Sequence, residues 1–480
     1  MNVIANNNWI YRPMMSDNMD KQQTMIIAAV AVVAIVAIAA IIIINPFKGG
    51  NGGGGGDDDD DLRCLLRVYG NADMNNYLDD DDLTFLKEII DGKNAWDPVK
   101  HPLADANCDD VITQADYDLV KKFLAGQAAT MYYVDWDGKN ARVDYPLTRM
   151  LADSNGIAVT FTTGLDIFRI LGLFDEVTMM TNSDIAVADI DPTLYPGVED
   201  IKAYSAPKMR HTADTYEMFV QNNIKVFLSE QKFLDDTFLT AAEEDFDTHH
   251  LNIIKLPTNR YMNGICWEDT LVTLGVMCNK QSATAPYITY LDKTLDEIAD
   301  ATKGVTNKSC LIPYYADGYG VHPLYIDSHG TSGIYTADVY TTEFIPLVSA
   351  IDLKTADGFG EAEVEQIIAK NPDCLVVAAF GYATSKNWTV DSYKNGITEQ
   401  MLSEFRKLGY NKPIYVLPFE SCVLAGPAFA KVIGSMIWED AFDSDKAWKE
   451  FHNFFKDFMG YKGTLDDLKN SKFAPWQYTA

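Results

Sequence analysis

Glu217-Met-Phe-Val-Gln-Asn-Asn-Ile224-Lys-Val-Phe-Leu228 and Glu365-Gln-Ile-Ile-Ala-Lys-Asn-Pro372-Asp373-Cys-Leu-Val-Val377 are the stretches that decide the fold. In each, a Glu stands seven residues before a turn residue, Ile224 or Pro372, and a buried-type strand follows. A helix feeding such a strand belongs to a sheet covered on both faces, which is a parallel sheet. The unit occurs twice, so two similar α/β lobes are expected. Around the first copy the alternation extends through Ile157-Ala-Val-Thr-Phe161, a helix from Gly164 to Leu173, and Asp175-Glu-Val-Thr-Met-Met-Thr181. Between the copies, Ser282 to Thr302 has the 3.6 period of one long amphipathic helix, a rigid connection rather than a loose hinge. Upstream, Met131-Tyr-Tyr-Val-Asp-Trp136, the turn Asp137-Gly138-Lys139 and Ala141-Arg-Val-Asp-Tyr145 read as a hairpin.

Toward the N-terminus the composition changes abruptly. Met25 to Ile44 are consecutive apolar residues, about 30 Å long as a helix, which predicts an uncleaved membrane anchor. Arg12 and Lys21 before it and Lys48 with the acidic run Asp57 to Asp61 after it favour a cytoplasmic N-terminus and an extracellular bulk. Gly49 to Asp61 offer nothing to bury and read as a tether.

The segment after the tether carries a duplicated spacing. Oxygen side chains fall at Asn71, Asp73, Asn75, Asp79 and Asp82, with the carbonyl of Tyr77 between them. The pattern returns at Asp105, Asn107, Asp109, Thr113 and Asp116, with the carbonyl of Val111. Alternate spacing turns the first oxygens of each loop inward, and the last carboxylate arrives from the next helix, expected over Leu83 to Ile90 and Tyr117 to Leu124. Hard oxygen donors in two such loops predict two Ca²⁺ ions. Residues 57–127 hold 18 acidic against 7 basic residues, a self-repulsion that cations would relieve. These loops resemble the EF-hand-like repeats of dockerins, although Asn76 and Asp110 replace the usual Gly at position 6. The resemblance implies a cohesin-like protein partner, docked on faces including Leu83, Leu86, Lys87, Val120, Lys121 and Phe123.

Residues from about 130 onward resemble ABC-transporter substrate-binding proteins of the helical-backbone, periplasmic-binding-protein-like class that carries iron-siderophores, haem or cobalamin. The matching features are Asp135-Trp-Asp-Gly138 with Pro146 and Arg149, Leu171-Gly172-Leu173, Tyr195-Pro-Gly197, both Glu-led units and Ala425-Gly-Pro427. Ile224-Lys225 departs from the Pro-Asp that Pro372-Asp373 retains. The resemblance implies a ligand between the lobes at the carboxyl ends of the strands. Candidate lining residues are Lys208, Met209, Arg210 and His211, then Asn259, Arg260 and Tyr261, and from the second lobe Phe380, Tyr382, Trp388, Glu420, Ser421 and Cys422. Cations and aromatics together suit a large anionic or aromatic chelate. The resemblance also implies that Glu217 and Glu365, one per lobe, dock on the two ABC permease subunits.

The 480 residues hold 69 Asp+Glu against 39 Lys+Arg, a net charge of −30, which argues against nucleic acid as a partner. Seven scattered cysteines form no C-x-x-C and argue against a disulfide scaffold or structural zinc. No G-x-S-x-G or H-E-x-x-H occurs, and no enzyme activity is expected. The competing reading is a cell-surface adhesion or scaffold protein, or a hydrolase, using the two-lobed body without transport. The expected order is a tail (1–24), a transmembrane anchor (25–44), a linker (45–61), a calcium module (62–127), an N-terminal lobe (130–280), a connecting helix (281–303) and a C-terminal lobe (304–480).

Overall fold

The computed structural model describes residues 64–181, 187–193, 195–206, 210–229, 233–258, 267–301, 310–311, 313–316, 325–326, 368–369, 371–380 and 386–479. The anchor expected at Met25 to Ile44 lies outside the described residues, among which no helix is long and apolar enough to cross a membrane.

The calcium-loop segment supplies α1 (Asp80–Ile90) and α2 (Gln114–Leu124). Both begin earlier than the apolar pattern suggests because Asp79 and Thr113 cap them. Each cap side chain accepts a first-turn amide, and Asp82 or Asp116 reaches back to accept the cap's own amide. Gly70, just before the first loop, has φ +107°, and a Cβ there would lie 2.9 Å from Val120 Cγ2. No other residue type suits that close approach.

The hairpin follows as β1 (Ala129–Val134) and β2 (Asn140–Tyr145). The first lobe contains β3 (Ile157–Val159), α3 (Thr162–Ile170), β4 (Val177–Thr181), β5 (Lys202–Tyr204), α4 (Ala213–Gln221), β6 (Val226–Ser229), α5 (Asp236–Glu244) and β7 (Asn252–Lys255). Its strand order is β5-β4-β3-β6-β7, and every neighbouring pair is parallel. The hairpin finishes the β7 edge: the Tyr133 hydroxyl donates to the Ile253 carbonyl (3.1 Å) and accepts from the Lys255 amide (3.0 Å). An edge satisfied this way cannot template pairing with another chain.

Two helices lead out of this lobe, α6 (Trp267–Met277) and α7 (Gln281–Ala301). The second lobe comprises β8 (Cys310–Leu311), β9 (Pro313–Ala316), β10 (Tyr325–Ile326), β11 (Cys374–Phe380), β12 (Ile414–Pro418), α8 (Phe419–Ile437), α9 (Ser444–Phe458) and β13 (Trp476–Tyr478). Strands β8, β9 and β12 run parallel to β11, while β10 and β13 are antiparallel. The parallel sheet expected from the sequence is therefore complete in the first lobe and mixed at the margins of the second. Helix α7 packs on α3, α6 and α8. Lys431 on α8 pairs with Glu297 of α7 and Glu450 of α9, and Lys446 reaches the same Glu297 (3.3 Å).

The segment of the two loops shares its core with the body. One apolar cluster runs from Cys64 and Leu66 through Val120 and Phe123 into Met131, Leu171, Trp267, Tyr287 and Phe451. The docking face expected for a cohesin-like partner is corrected accordingly. Leu86, Val120 and Phe123 are at most 1% exposed, because their side chains complete the core of this same chain.

Candidate functional site

In the first lobe the strand order reverses between β3 and β6, and an open α/β sheet presents its crevice at such a point, beyond the carboxyl ends of the strands. Thr160 and Ser229 stand there. Thr160 donates its amide to the Leu228 carbonyl (3.2 Å) and its hydroxyl to Ser229 Oγ (2.8 Å), tying the two strand ends together. Phe161 and Phe233 meet edge to face across the same end, with centroids 5.3 Å apart. Helix α3 starts immediately after Phe161 with no side-chain cap.

One turn into α3, Asp166 is fully buried, and neither carboxylate oxygen has a hydrogen-bond partner among the described residues. Burial pushes its pKa well above the ordinary carboxylate value, and the charge of Arg169 opposes this only in part. Arg169 is engaged elsewhere: its guanidinium stacks 3.6 Å over Phe174 and donates to the Pro196 carbonyl (2.7 Å). Burial thus disfavours the charged form of Asp166 in the core.

The two lobes also touch beside α3. The Lys386 amide donates to the Asp189 carbonyl (2.7 Å), Lys472 pairs with Asp191 (3.0 Å), and Tyr195 meets Phe473 edge to face. Partial burial raises the Asp191 pKa, but the Lys472 ammonium and the Thr193 amide outweigh it and hold the carboxyl below its ordinary value.

Of the ligand-lining residues expected in the first lobe, His211 is corrected. It is 0% exposed, packed against Phe227 (4.9 Å between centroids), with Nε2 accepting from the Tyr204 hydroxyl (3.0 Å) and Nδ1 donating to the Phe233 carbonyl (3.1 Å). Burial lowers its pKa to about 4 against the pull of that carbonyl and of Asp235, so the ring is neutral and structural. Arg210 is exposed and lies 3.5 Å from Asp235. Lys208, Met209, Asn259, Arg260 and Tyr261 lie outside the described residues.

In the second lobe Trp388 is partly buried against the core formed by Tyr393, Ile397 and their neighbours. Phe380 ends β11, and Glu420, Ser421 and Cys422 lie in the first turn of α8, each described by backbone only, while Tyr382 lies outside the described residues. Glu217 is exposed on α4, and Glu365 lies outside the described residues. The Thr160–Ser229 pair escaped the sequence reading. Its signal was a hydroxyl residue directly after each apolar run, Ile157-Ala-Val and Val226-Phe-Leu.

In the calcium-type loops the side chains at positions 1 and 5 accept amides of the loop backbone. Asn71 Oδ1 accepts the Asn75 amide (3.2 Å), and Asp105 accepts the amides of Asp109 (3.2 Å) and Asp110 (2.7 Å). Asn75 and Asp109, at loop position 5, accept the amides of Tyr77 (2.6 Å) and Val111 (3.1 Å). The left-handed turn falls at position 4 in both loops (Met74 φ 66°, Cys108 φ 58°) and at position 6 only in the second (Asp110 φ 68°). Side-chain amides already bond the neighbouring carboxylates, Asn75 to Asp73 (2.7 Å) and Asn107 to Asp109 (3.0 Å). A cation would replace those bonds. Burial, with the charge of Asp73 beside it, pushes Asp82 up to about 7. Burial, with Asp116 and Asp109 nearby, also raises Asp105. The donors fit a hard cation by chemistry, whereas among the described residues no group of three His, Cys, Asp or Glu side chains is disposed to hold one.

No family model matches the chain, and no curated protein matches its sequence. Solved structures resemble it distantly. The TroA-like periplasmic binding protein FepB of Veillonella parvula is 11% identical over 69% of this chain and 97% of its own, with a TM-score of 0.49. A periplasmic solute-binding protein of the same organism is 13% identical over 72% and 97%, at 0.48. Helicobacter pylori CeuE, in a complex with Ni and His, is 14% identical over 71% and 98%, at 0.46. Likeness this distant does not establish a common fold, and the two-lobed architecture rests on the strand orders and the connecting helix.

Proposed function

We propose that the chain is a membrane-anchored extracellular solute-binding protein that captures a metal chelate, such as a ferric siderophore, haem or cobalamin, for an ABC importer. The observation that carries this reading is the pair of separate sheets joined by one 21-residue helix, α7. Lobes connected in this way keep a fixed spacing, and a site between them admits a rigid ligand without a large closure. In the first lobe the switch point lies at Thr160 and Ser229, the end of the sheet toward which such a ligand would lie. The chain in this reading binds and releases, and performs no chemistry on its ligand.

Glu217 and Glu365 orient the lobes on two permease subunits, as charges at an interface rim steer association. Met25 to Ile44 holds the protein at the membrane. Two Ca²⁺ ions occupy the loops at Asn71 to Asp82 and Asp105 to Asp116. A cohesin-like partner would have to use surfaces other than the buried Leu86, Val120 and Phe123. Thermal melting with ferric siderophores, haem and cobalamin tests the reading. A bound ligand at one hundred times its dissociation constant should add about 2.7 kcal/mol of stability. An unchanged melting temperature with all three classes would leave the body without the proposed cargo.

A further inference from the structure

The first calcium-type loop is held by a residue of the body. Leu78, at loop position 8, donates its amide to Gln281 Oε1 (2.9 Å), and its carbonyl accepts from Gln281 Nε2 (3.0 Å). A glutamine amide used in this way supplies both halves of the pairing that a neighbouring strand would offer. Gln281 is the first residue of α7, the helix that joins the lobes. The segment preceding the loop is fastened to α6. The Arg67 guanidinium donates to Asp269 Oδ2 from Nε (2.9 Å) and Nη2 (2.7 Å), with the side chains 3% and 4% exposed. The amides of Leu65 and Arg67 donate to Asp269 Oδ1 (2.7 Å) and Thr273 Oγ1 (3.0 Å). Within the loop, Asn71 bonds both Leu66 and Asn75 carbonyls (2.7 and 2.8 Å), and Asp82 accepts the Ala72 amide (2.6 Å). A change at the loop carboxylates therefore reaches Leu66 and Leu78, the points where the body is gripped.

We infer that residues 64–127 are a brace built into the body, and that the state of the first loop sets the rigidity of the N-terminal end of α7. The brace rests on Gln281 and the Arg67–Asp269 pair. Its control by calcium rests on the calcium reading above. Such a brace lets an extracellular cation stiffen the joint between two lobes without touching the cleft.

Hydrogen exchange on the full chain, wild type and Gln281→Ala, in calcium and in chelator, tests it. In wild type, chelation should speed exchange across residues 71–82 and also, by roughly five- to tenfold, in the first turns of α7. In Gln281→Ala the loop should still respond to chelation, the α7 response should vanish, and the Leu78 amide should exchange faster in both conditions. A loop that responds to chelation while wild-type α7 does not would overturn the brace and leave the calcium reading standing. If chelation changes nothing in either protein, calcium control is overturned. The brace itself is overturned if Gln281→Ala leaves Leu78 and the start of α7 unchanged.

Discussion

The loop module and the carboxyl edge of the first lobe both bury polar side chains, but they satisfy them at different ranges. In the module, Asn71, Asp105, Asp82 and Asp116 bond backbone groups within ten residues of themselves. In the lobe, Thr160 finds Ser229 and Tyr204 finds Val159, while Asp166 finds no hydrogen-bond partner among the described residues. Local satisfaction lets a short segment hold its shape, whereas distant satisfaction makes the shape conditional on the whole lobe. The seam between the two regions belongs to the second kind.

The largest expected effect breaks that seam. Replacing Arg67 by Met leaves the Asp269 carboxylate buried without its guanidinium and should cost about 3–5 kcal/mol. The double variant Arg67→Met with Asp269→Leu should recover much of the loss. Urea denaturation of the full chain measures both, and a double variant no more stable than the single one would show that the pair is not the unit.

Next is the pH dependence of the lobe. His211 is neutral in the folded protein down to about pH 4 because burial disfavours its charge, whereas the unfolded chain takes up a proton near pH 6.5. Its contribution is therefore fully present above pH 6.5 and is lost as pH falls toward 4, by about 3 kcal/mol. The melting temperature of wild type should fall through that window more steeply than that of His211→Leu. Equal slopes would place the titration elsewhere.

Asp166 sharpens the comparison in the opposite direction. A buried acid without a hydrogen-bond partner among the described residues destabilises the fold, and Asp166→Leu should stabilise it by about 1–3 kcal/mol at neutral pH. For the raised carboxyl the sign is reversed relative to His211: wild type holds its stability at low pH and loses it as pH rises. Smallest is Thr160→Val, which removes the bond to Ser229 and should cost about 1 kcal/mol in thermal unfolding while leaving the module's hydrogen exchange untouched.

These contrasts explain what the sequence disclosed. Within both loops the bonds among positions 1 to 12 are local and lie where spacing is informative, whereas the bonds from Asn71 to Leu66 and from Gln281 to Leu78 leave that window. The helix from Gln281 to Ala301 and the Glu217-to-Leu228 unit followed from apolar periodicity, which reports burial without naming the neighbour. The fusion of module and body did not follow. Leu86, Val120 and Phe123 form an apolar face that reads the same whether it meets a partner protein or Met131. Arg67 and Asp269 are ordinary charges until the fold brings them together across 202 positions. His211 looked like a cleft residue by its place after the Ser205-Ala-Pro207 turn, and its packing against the rings of Phe227 and Phe238 holds it inward.

The central claim is a ligand held between two helix-joined lobes. Titrating the full chain with ferric siderophore, haem and cobalamin by calorimetry tests it most directly. The account predicts saturable binding of one of these classes at one ligand per chain. No saturable heat with any of them, from protein whose unfolding is cooperative, would contradict it.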